Sequence, residues 1–255
     1  MPARLERRGP AAVLVLDWPE VRNALDMDSA SELRALIAHA AQDTDISGLI
    51  VTGAGAFCAG ANLKGVVGRS TMPPEERRKV VYEIFQGMIR DLIAFPLPTV
   101  AAIDGPAIGL GFDLALACDS RLLGPAGWLM QGWGRIGVIP GTGGEYLLRI
   151  RAPGLLWRLL DGQPRVDGPM AERCNLGEDS GTDSALDRAL ARIANYAQMP
   201  RPALQAYVDL YRMDLRRELD VHLEAAVERQ VQLLRDPGLA GKVTTVLGKE
   251  DSGHA

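Results

Sequence analysis

The feature that most constrains the fold is a repeated pattern in which a short apolar run breaks into a glycine-rich stretch and then gives way to helical spacing. Residues 11–17 (AAVLVLD), 47–51 (SGLIV) and 99–103 (TVAAI) are brief, continuous apolar segments rich in β-branched residues, as buried strands are. The second runs into 52–57 (TGAGAF), and the third into Asp104-Gly105-Pro106 and the stretch 109–111, before helix spacing resumes at 114–118. Residues 120–123 read as another short strand. Strand, loop and helix alternating in this way imply an α/β core. A first helix is expected near Ser29, where Ser29 and Glu32 fit an S-x-x-E capping box ahead of Leu33, Leu36, Ile37 and Ala40. A second opens at Pro73-Pro74-Glu75-Glu76 and continues through Val81, Ile84, Phe85, Met88 and Leu92 to about Ala94.

The character changes after roughly residue 195. Residues 201–234 carry long helical periodicity, with Leu204, Val208, Tyr211, Leu219, His222, Leu223, Ala226, Val227, Val231 and Leu234 on one face. The chain therefore divides into an α/β part, 1–195, and a helical part, 196–255, whose apolar face needs its own core or another subunit. The segment 238–255 has weak periodicity and is expected to be a poorly ordered tail. At 255 residues and 27.4 kDa the chain is one large domain, or one with a small appendage. A net charge of −4 provides no general attraction for nucleic acid or anionic membrane. No apolar run approaches the roughly 18–20 residues of a membrane span. The charged start MPARLERR lacks the apolar stretch of a signal peptide, and Cys58, Cys118 and Cys174 lack metal-like or disulfide-like spacing. The expectation is a soluble, cytoplasmic protein.

Two glycine-rich segments, 53–65 (GAGAFCAGANLKG) and 105–113 (GPAIGLGFD), follow strands and could present backbone N–H groups. A dinucleotide fingerprint fails in both, because Cys58 and Leu114 stand where its third Gly or Ala belongs. No P-loop, G-x-S-x-G elbow or metal-ligand cluster occurs. Ordinary turns are one reading. The sharper one is that Gly109-Leu110-Gly111 opens a helix whose free N–H groups carry the positive end of its dipole, and that a second N–H from Ala59-Gly60-Ala61 converges on the same point. Two such donors suit a carbonyl oxygen becoming an enolate.

At these residues the chain resembles the crotonase, or enoyl-CoA hydratase/isomerase, superfamily. The matching pieces are Arg22-Asn23-Ala24-Leu25; Phe57-Cys58-Ala59-Gly60-Ala61-Asn62-Leu63; Asp104-Gly105-Pro106-Ala107-Ile108-Gly109 with Leu114-Ala115-Leu116-Ala117-Cys118-Asp119; and Ile136-Gly137-Val138-Ile139-Pro140-Gly141-Thr142-Gly143-Gly144. They stand in family order and spacing over about residues 10–150. The resemblance implies a crotonase-like spiral of ββα units with a C-terminal helical trimerisation region that also closes the pocket. It implies a homotrimer, or a hexamer built as a dimer of trimers, acting on an acyl-CoA thioester with no cofactor beyond the coenzyme A of the substrate. The N–H groups of Ala61 and Leu110 would form the oxyanion hole. Ala24, Ala59, Gly60, Asn62, Leu63, Gly109, Trp133, Ile139, Pro140 and Gly141 would contact substrate. Lys64 and Arg22 are candidates for phosphate, with solvated surface charge the favoured reading of each.

The resemblance also exposes a departure. Family hydratases use two glutamates, one on the glycine-rich helix and one some twenty residues on. Here the first position is Asp113 and the second is Trp133. Hydration needs one group to activate water and another to deliver a proton to carbon, and an indole does neither. Isomerisation of an enoyl-CoA double bond needs only one proton carrier between C2 and C4, a role open to Asp113. The alternatives are a carboxylate merely favoured in a helix first turn, a non-catalytic acyl-CoA binder, or another enolate reaction such as thioester hydrolysis, decarboxylation or C–C cleavage. Trp133 reads as an apolar wall of the acyl pocket. Of the histidines, His39 reads as surface, His254 as tail, and His222 as structural with a slim chance of reaching the site. The stretch 238–248 also lacks the basic, aromatic-containing ending common in the family.

Overall fold

The computed structural model describes residues 3–162 and 164–252, with backbone alone for Tyr82 and 249–252. The chain opens with a hairpin, β1 (Ala3–Arg8) and β2 (Ala11–Leu16), paired antiparallel from Ala3↔Leu16 to Arg8↔Ala11. The start that reads merely as charged is thus an edge strand. Its Arg4, Glu6 and Arg8 pair on the exposed side, which blunts the edge against further strand addition. Helix α1 (Met27–Ala41) begins before Ser29. Asp26 is the cap: its carboxylate accepts the Ser29 N–H at 3.0 Å, and the Ser29 hydroxyl accepts the Asp26 N–H at 2.8 Å. Ser29 is the third helical residue of that box rather than its first member.

Next come β3 (Gly48–Gly53), α2 (Leu63–Ser70), α3 (Pro74–Val80) and, through a π-helical turn at Val81–Phe85, α4 (Gln86–Ala94). Then follow β4 (Thr99–Ile103), β5 (Pro106–Ile108), α5 (Leu110–Ala117), β6 (Ser120–Leu123) and β7 (Trp128–Met130). A 3-10 turn at Trp133–Ile136 leads to α6 (Gly144–Arg151), α7 (Leu155–Leu160), β8 (Val166–Asp167), α8 (Gly168–Arg173) and β9 (Glu178–Asp179). The chain ends in α9 (Ala185–Tyr196), α10 (Arg201–Leu233) and α11 (Leu239–Ser252). The segment 238–252, read as a poorly ordered tail, is helical instead: Leu239, Val243 and Val246 fall on one side and are buried. Residues 253–255 of that segment, with His254, lie outside the described residues.

The strands form two layers. The main sheet has the order β1-β2-β3-β4-β6-β9, parallel except for the opening hairpin, and the smaller one has the order β5-β7-β8. β4 passes into β5 and then α5, and β6 passes into β7 and then the 3-10 turn. After β3 the same step is reduced to one bridge, Cys58↔Ala107, before α2. The result is a spiral of strand–strand–helix units. Both faces of the main sheet are covered, which is why β2, β3 and β4 read as unbroken apolar runs rather than alternating ones. Leu14, Leu49, Val51 and Ala101 face the core under α1, α4 and α5, while Val13, Val15, Ile50 and Val100 face Ala185, Ala189 and Ile193 of α9.

One buried charge fastens α10 to this spiral. Arg212 is 1% exposed and donates to Asp119 at 2.8 Å and to the carbonyls of Ile93, Phe95 and Leu97 at 3.0, 2.6 and 3.0 Å. Burial works against the charge on Asp119, but the Arg212 hydrogen bonds and charge outweigh it and hold that carboxyl below its ordinary pKa. Removing one member of such a pair strands the other. Arg212→Ala is therefore expected to cost about 3 kcal/mol or more, read in thermal unfolding as a Tm lower by roughly 6–12 °C; a change within 1–2 °C, or about half a kcal/mol, would show that α10 does not depend on this contact.

Candidate active site

The site is assembled from three loops that the strands deliver to one place. Asn23 is fully buried; it accepts the Trp18 N–H at 2.7 Å and donates to the Ala56 carbonyl at 2.6 Å, fixing the loop after β2 against the loop after β3. Leu25 N–H donates to Gly60 O at 2.8 Å and Asn62 N–H to Leu25 O at 2.7 Å, leaving the intervening Ala61 N–H turned away from this bridge. Cys58 N–H donates to Pro106 O and Ile108 N–H to Cys58 O, both at 3.0 Å, which ties the second loop to β5.

Two glycines permit the approach. A Cβ on Gly111 would lie 2.1 Å from Cys58 O, and one on Gly60, whose φ is +108°, would lie 2.8 Å from Ile108 O and 3.7 Å from Leu110 N. Gly60 thus sits beside the first residue of α5, and Ala61 follows it. Leu110, as that first residue, has no intrahelical acceptor for its N–H. Among the described residues neither the Ala61 nor the Leu110 N–H finds a protein acceptor, and both residues line the same cavity.

That cavity has a volume of about 530 Å³. Of the residues expected to contact substrate, Ala24, Ala59, Gly60, Asn62, Leu63, Gly109 and Trp133 line it. Ile139, Pro140 and Gly141 are not among its lining residues. Their backbone is turned toward the helices: Ile139 O accepts from Gln230 at 2.8 Å and Gly141 O from Gln86 at 2.6 Å, so this loop anchors α10 and α4. Arg22 and the exposed Lys64 stand at the cavity wall together with Glu20. Sequence reasoning missed Arg135 and Ile136 on the 3-10 turn, and Val246 and Leu247 on α11. The helical spacing of 239, 243 and 246 was the signal available for the last two.

Asp113 lies on α5 against Trp133. It is 2% exposed and is not part of the cavity wall. Its Oδ2 accepts the Thr142 hydroxyl at 2.6 Å and the Trp133 indole N–H at 3.0 Å, and its Oδ1 packs on Gly144 at the start of α6. Trp133 does line the cavity and rests on Gly109, so the indole screens the carboxylate from it. The tryptophan is therefore more than the apolar wall expected of it; it is also a hydrogen-bond donor to the buried Asp113 carboxylate. Burial pushes the Asp113 pKa from 3.8 up to about 7, against the pull of the Thr142 and Trp133 hydrogen bonds, and the charge of Glu145 adds to the rise.

The remaining candidates are structural. Burial raises the Cys58 thiol to about 12, far from a thiolate nucleophile. His222 stacks on Tyr146 with ring centres 3.8 Å apart and lies outside the cavity wall; His39 is exposed. Among the described residues, no group of three or more His, Cys, Asp or Glu side chains could hold a metal ion, and no helix is long and apolar enough to cross a membrane.

Comparison with known proteins points the same way as this geometry. Residues 6–154 match the family described as enoyl-CoA hydratase/isomerase. A probable enoyl-CoA hydratase of Mycobacterium tuberculosis (strain CDC 1551 / Oshkosh) is 38% identical over 139 residues, 54% of this chain and 53% of that protein. The chain thus spans about half the length of that relative. The mitochondrial enoyl-CoA hydratase domain-containing protein 2 of Mus musculus is 30% identical over 224 residues, 85% of this chain and 74% of its own. Among solved structures, an enoyl-CoA hydratase from Bacillus halodurans superposes with a TM-score of 0.88 over 96% of this chain and 100% of that one; at 23% identity this establishes a shared fold.

The raised pKa of Asp113 has a consequence for stability. Between about pH 4 and 7 the folded protein holds a proton on Asp113 that the unfolded chain releases, so this group favours folding at low pH and the benefit is lost as pH rises through about 7. Asp113→Asn keeps an acceptor for both donors and cannot ionise. Denaturant titrations from pH 5 to 8 are expected to show the variant gaining on wild type with rising pH, approaching level above about pH 7. A difference that is flat with pH would contradict the raised pKa.

Proposed function

The chain belongs to the enoyl-CoA hydratase/isomerase family, and from that premise we propose that it binds an acyl-CoA thioester and stabilises its enolate, moving a double bond rather than adding water. The observation that carries this reading is the pair of acceptor-free N–H groups, Ala61 and Leu110, lining one cavity. A thioester oxygen placed between them gains two hydrogen bonds that strengthen as negative charge develops, the Leu110 donor being reinforced by the N-terminal end of α5. Coenzyme A is then part of the substrate, and no other cofactor enters the scheme.

A single carboxylate supports isomerisation better than hydration. With its indole partner turned off Oδ2, Asp113 takes a proton from one carbon of the enoyl group, the dienolate rests in the oxyanion hole, and the same carboxyl returns the proton to the other carbon. A pKa of about 7 suits a group that must accept and then donate near neutrality. The closed position of Trp133 in front of Asp113 favours a second reading, a protein that binds acyl-CoA without turning it over. Exposed Tyr207, Leu210, Tyr211, Met213 and Val221 along α10 support a homotrimer or hexamer, and a cytoplasmic location accords with reduced, unpaired Cys58, Cys118 and Cys174.

Mass spectrometry and absorbance assays against 2-enoyl- and 3-enoyl-CoA esters separate these readings. The expected result is interconversion of the two with a kcat/KM that rises with pH through about 7, as the Asp113 base loses its proton. Asp113→Asn is expected to lower kcat by about 10²–10⁴-fold. Normal turnover by that variant removes Asp113 from the mechanism, and tight binding without product across the panel favours the binding protein. Leu110→Pro deletes one oxyanion donor at a helix position that tolerates proline; it is expected to lower kcat by about 10²–10³-fold, with folding checked by circular dichroism.

A further inference from the structure

Arg135 brings to the cavity a positive charge that no group among the described residues answers. It sits on the 3-10 turn Trp133–Ile136, two residues beyond the indole that rests on Gly109. Among the described residues its side chain has neither an acidic partner nor a hydrogen bond. Arg22 and Lys64 come from the loop after β2 and the start of α2, whereas Arg135 belongs to the wall made with Ile136 and with Val246 and Leu247 of α11.

Arg135 is also the residue common to two cavities. Beyond it lies a second hollow of about 520 Å³, lined by Met130, Leu160, Gly162 and Arg165 as well as Arg135. The Arg165 guanidinium lies 4.4 Å from the centre of the Trp128 ring, which holds it over an aromatic face and leaves its donors available. Among the described residues no carboxylate lines this hollow, and the one acidic residue lining the main cavity, Glu20, lies on the same stretch as Arg22. Within the main cavity Arg135 stands with Trp133, Ile136, Val246 and Leu247, so an acyl group extending along that wall meets its guanidinium, with Arg165 in the hollow on its other side. A plain alkyl end arriving there would displace water from the charge of Arg135 and return nothing, while a carboxylate would accept paired, charge-assisted hydrogen bonds from its fork.

We propose that Arg135, with Arg165 beyond it, selects acyl-CoA substrates whose acyl group ends in a carboxylate. This rests on the reading of the main cavity as an acyl-CoA site. A polar site rejects a ligand that lacks its partner more strongly than an apolar site rejects an added polar group, so the preference should be measurable as a ratio.

The test uses the full chain and matched pairs of saturated thioesters, acyl-CoA and ω-carboxyacyl-CoA of equal length, measured by calorimetry, so that it does not depend on turnover. Wild type is expected to bind the carboxylated member about tenfold or more tightly. Arg135→Gln should bring the two affinities together, Arg135→Lys should keep part of the preference, and Arg165→Gln should reduce it less. A wild-type preference for the neutral member, or a ratio unchanged in Arg135→Gln, overturns the proposal; equal weakening of both members would make Arg135 a contact for coenzyme A instead. If both members bind without preference, only the role of Arg135 falls. If neither binds, the acyl-CoA reading falls with it.

Discussion

The hydrogen bonds on either side of Cys58, one given to Pro106 and one accepted from Ile108, join the loop after β3 to the smaller sheet. Everything in the site inherits its position from that junction. It places Gly60 against Leu110 N and Gly111 against Cys58 O, and so brings residues 61 and 110 to the wall of one cavity although nearly fifty residues separate them. A side chain at either glycine would force the loops apart. In the proposed reading these donors are held in place before a charge develops, which is the condition under which such groups lower a barrier most.

The carboxylate behind Trp133 is governed by a different balance. Asp113 is buried among Thr142, Trp133 and Gly144, and the two hydrogen bonds it accepts offset only part of the cost of removing its charge from water. Trp133 brings no titratable group to this place; its N–H binds the Asp113 carboxylate and its ring stands between that carboxylate and the cavity. The proposed choice between isomerisation and simple binding turns on how readily that indole moves.

The C-terminal helices are part of the site rather than an accessory. Gln86 and Gln230 hold the carbonyls of Gly141 and Ile139, Arg212 pins α10 through Asp119, and α11 lays Val246 and Leu247 on the cavity wall beside Arg135. The loop 139–141 resembles a binding loop in sequence, yet its polar groups are spent on helix packing. Among the described residues, Glu20 is the one acidic residue lining the main cavity and none lines the second hollow, which leaves Arg135 without a carboxylate partner.

The sequence by itself determined the α/β class, the core strands, the long helix α10 and the two loops that present Ala61 and Leu110, because short doubly covered strands and glycine-rich turns leave local marks in composition and spacing. It also singled out Asp113 and Trp133 as the residues at the positions where the resemblance expects two glutamates. It did not mark β1, whose charged residues are those of an edge, nor the true cap of α1, since Asp26 and Ser29 both fit a box. It misread 238–252, where the apolar spacing is sparse and a helix is stabilised by the wall it covers. Only the tertiary structure decided that Asp113 stands behind the indole, that Ile139 and Gly141 face the helices, and that Arg135 joins two cavities. Those outcomes depend on which groups burial removes from water and which partners lie within hydrogen-bond reach, and both are properties of contacts between segments far apart in the chain.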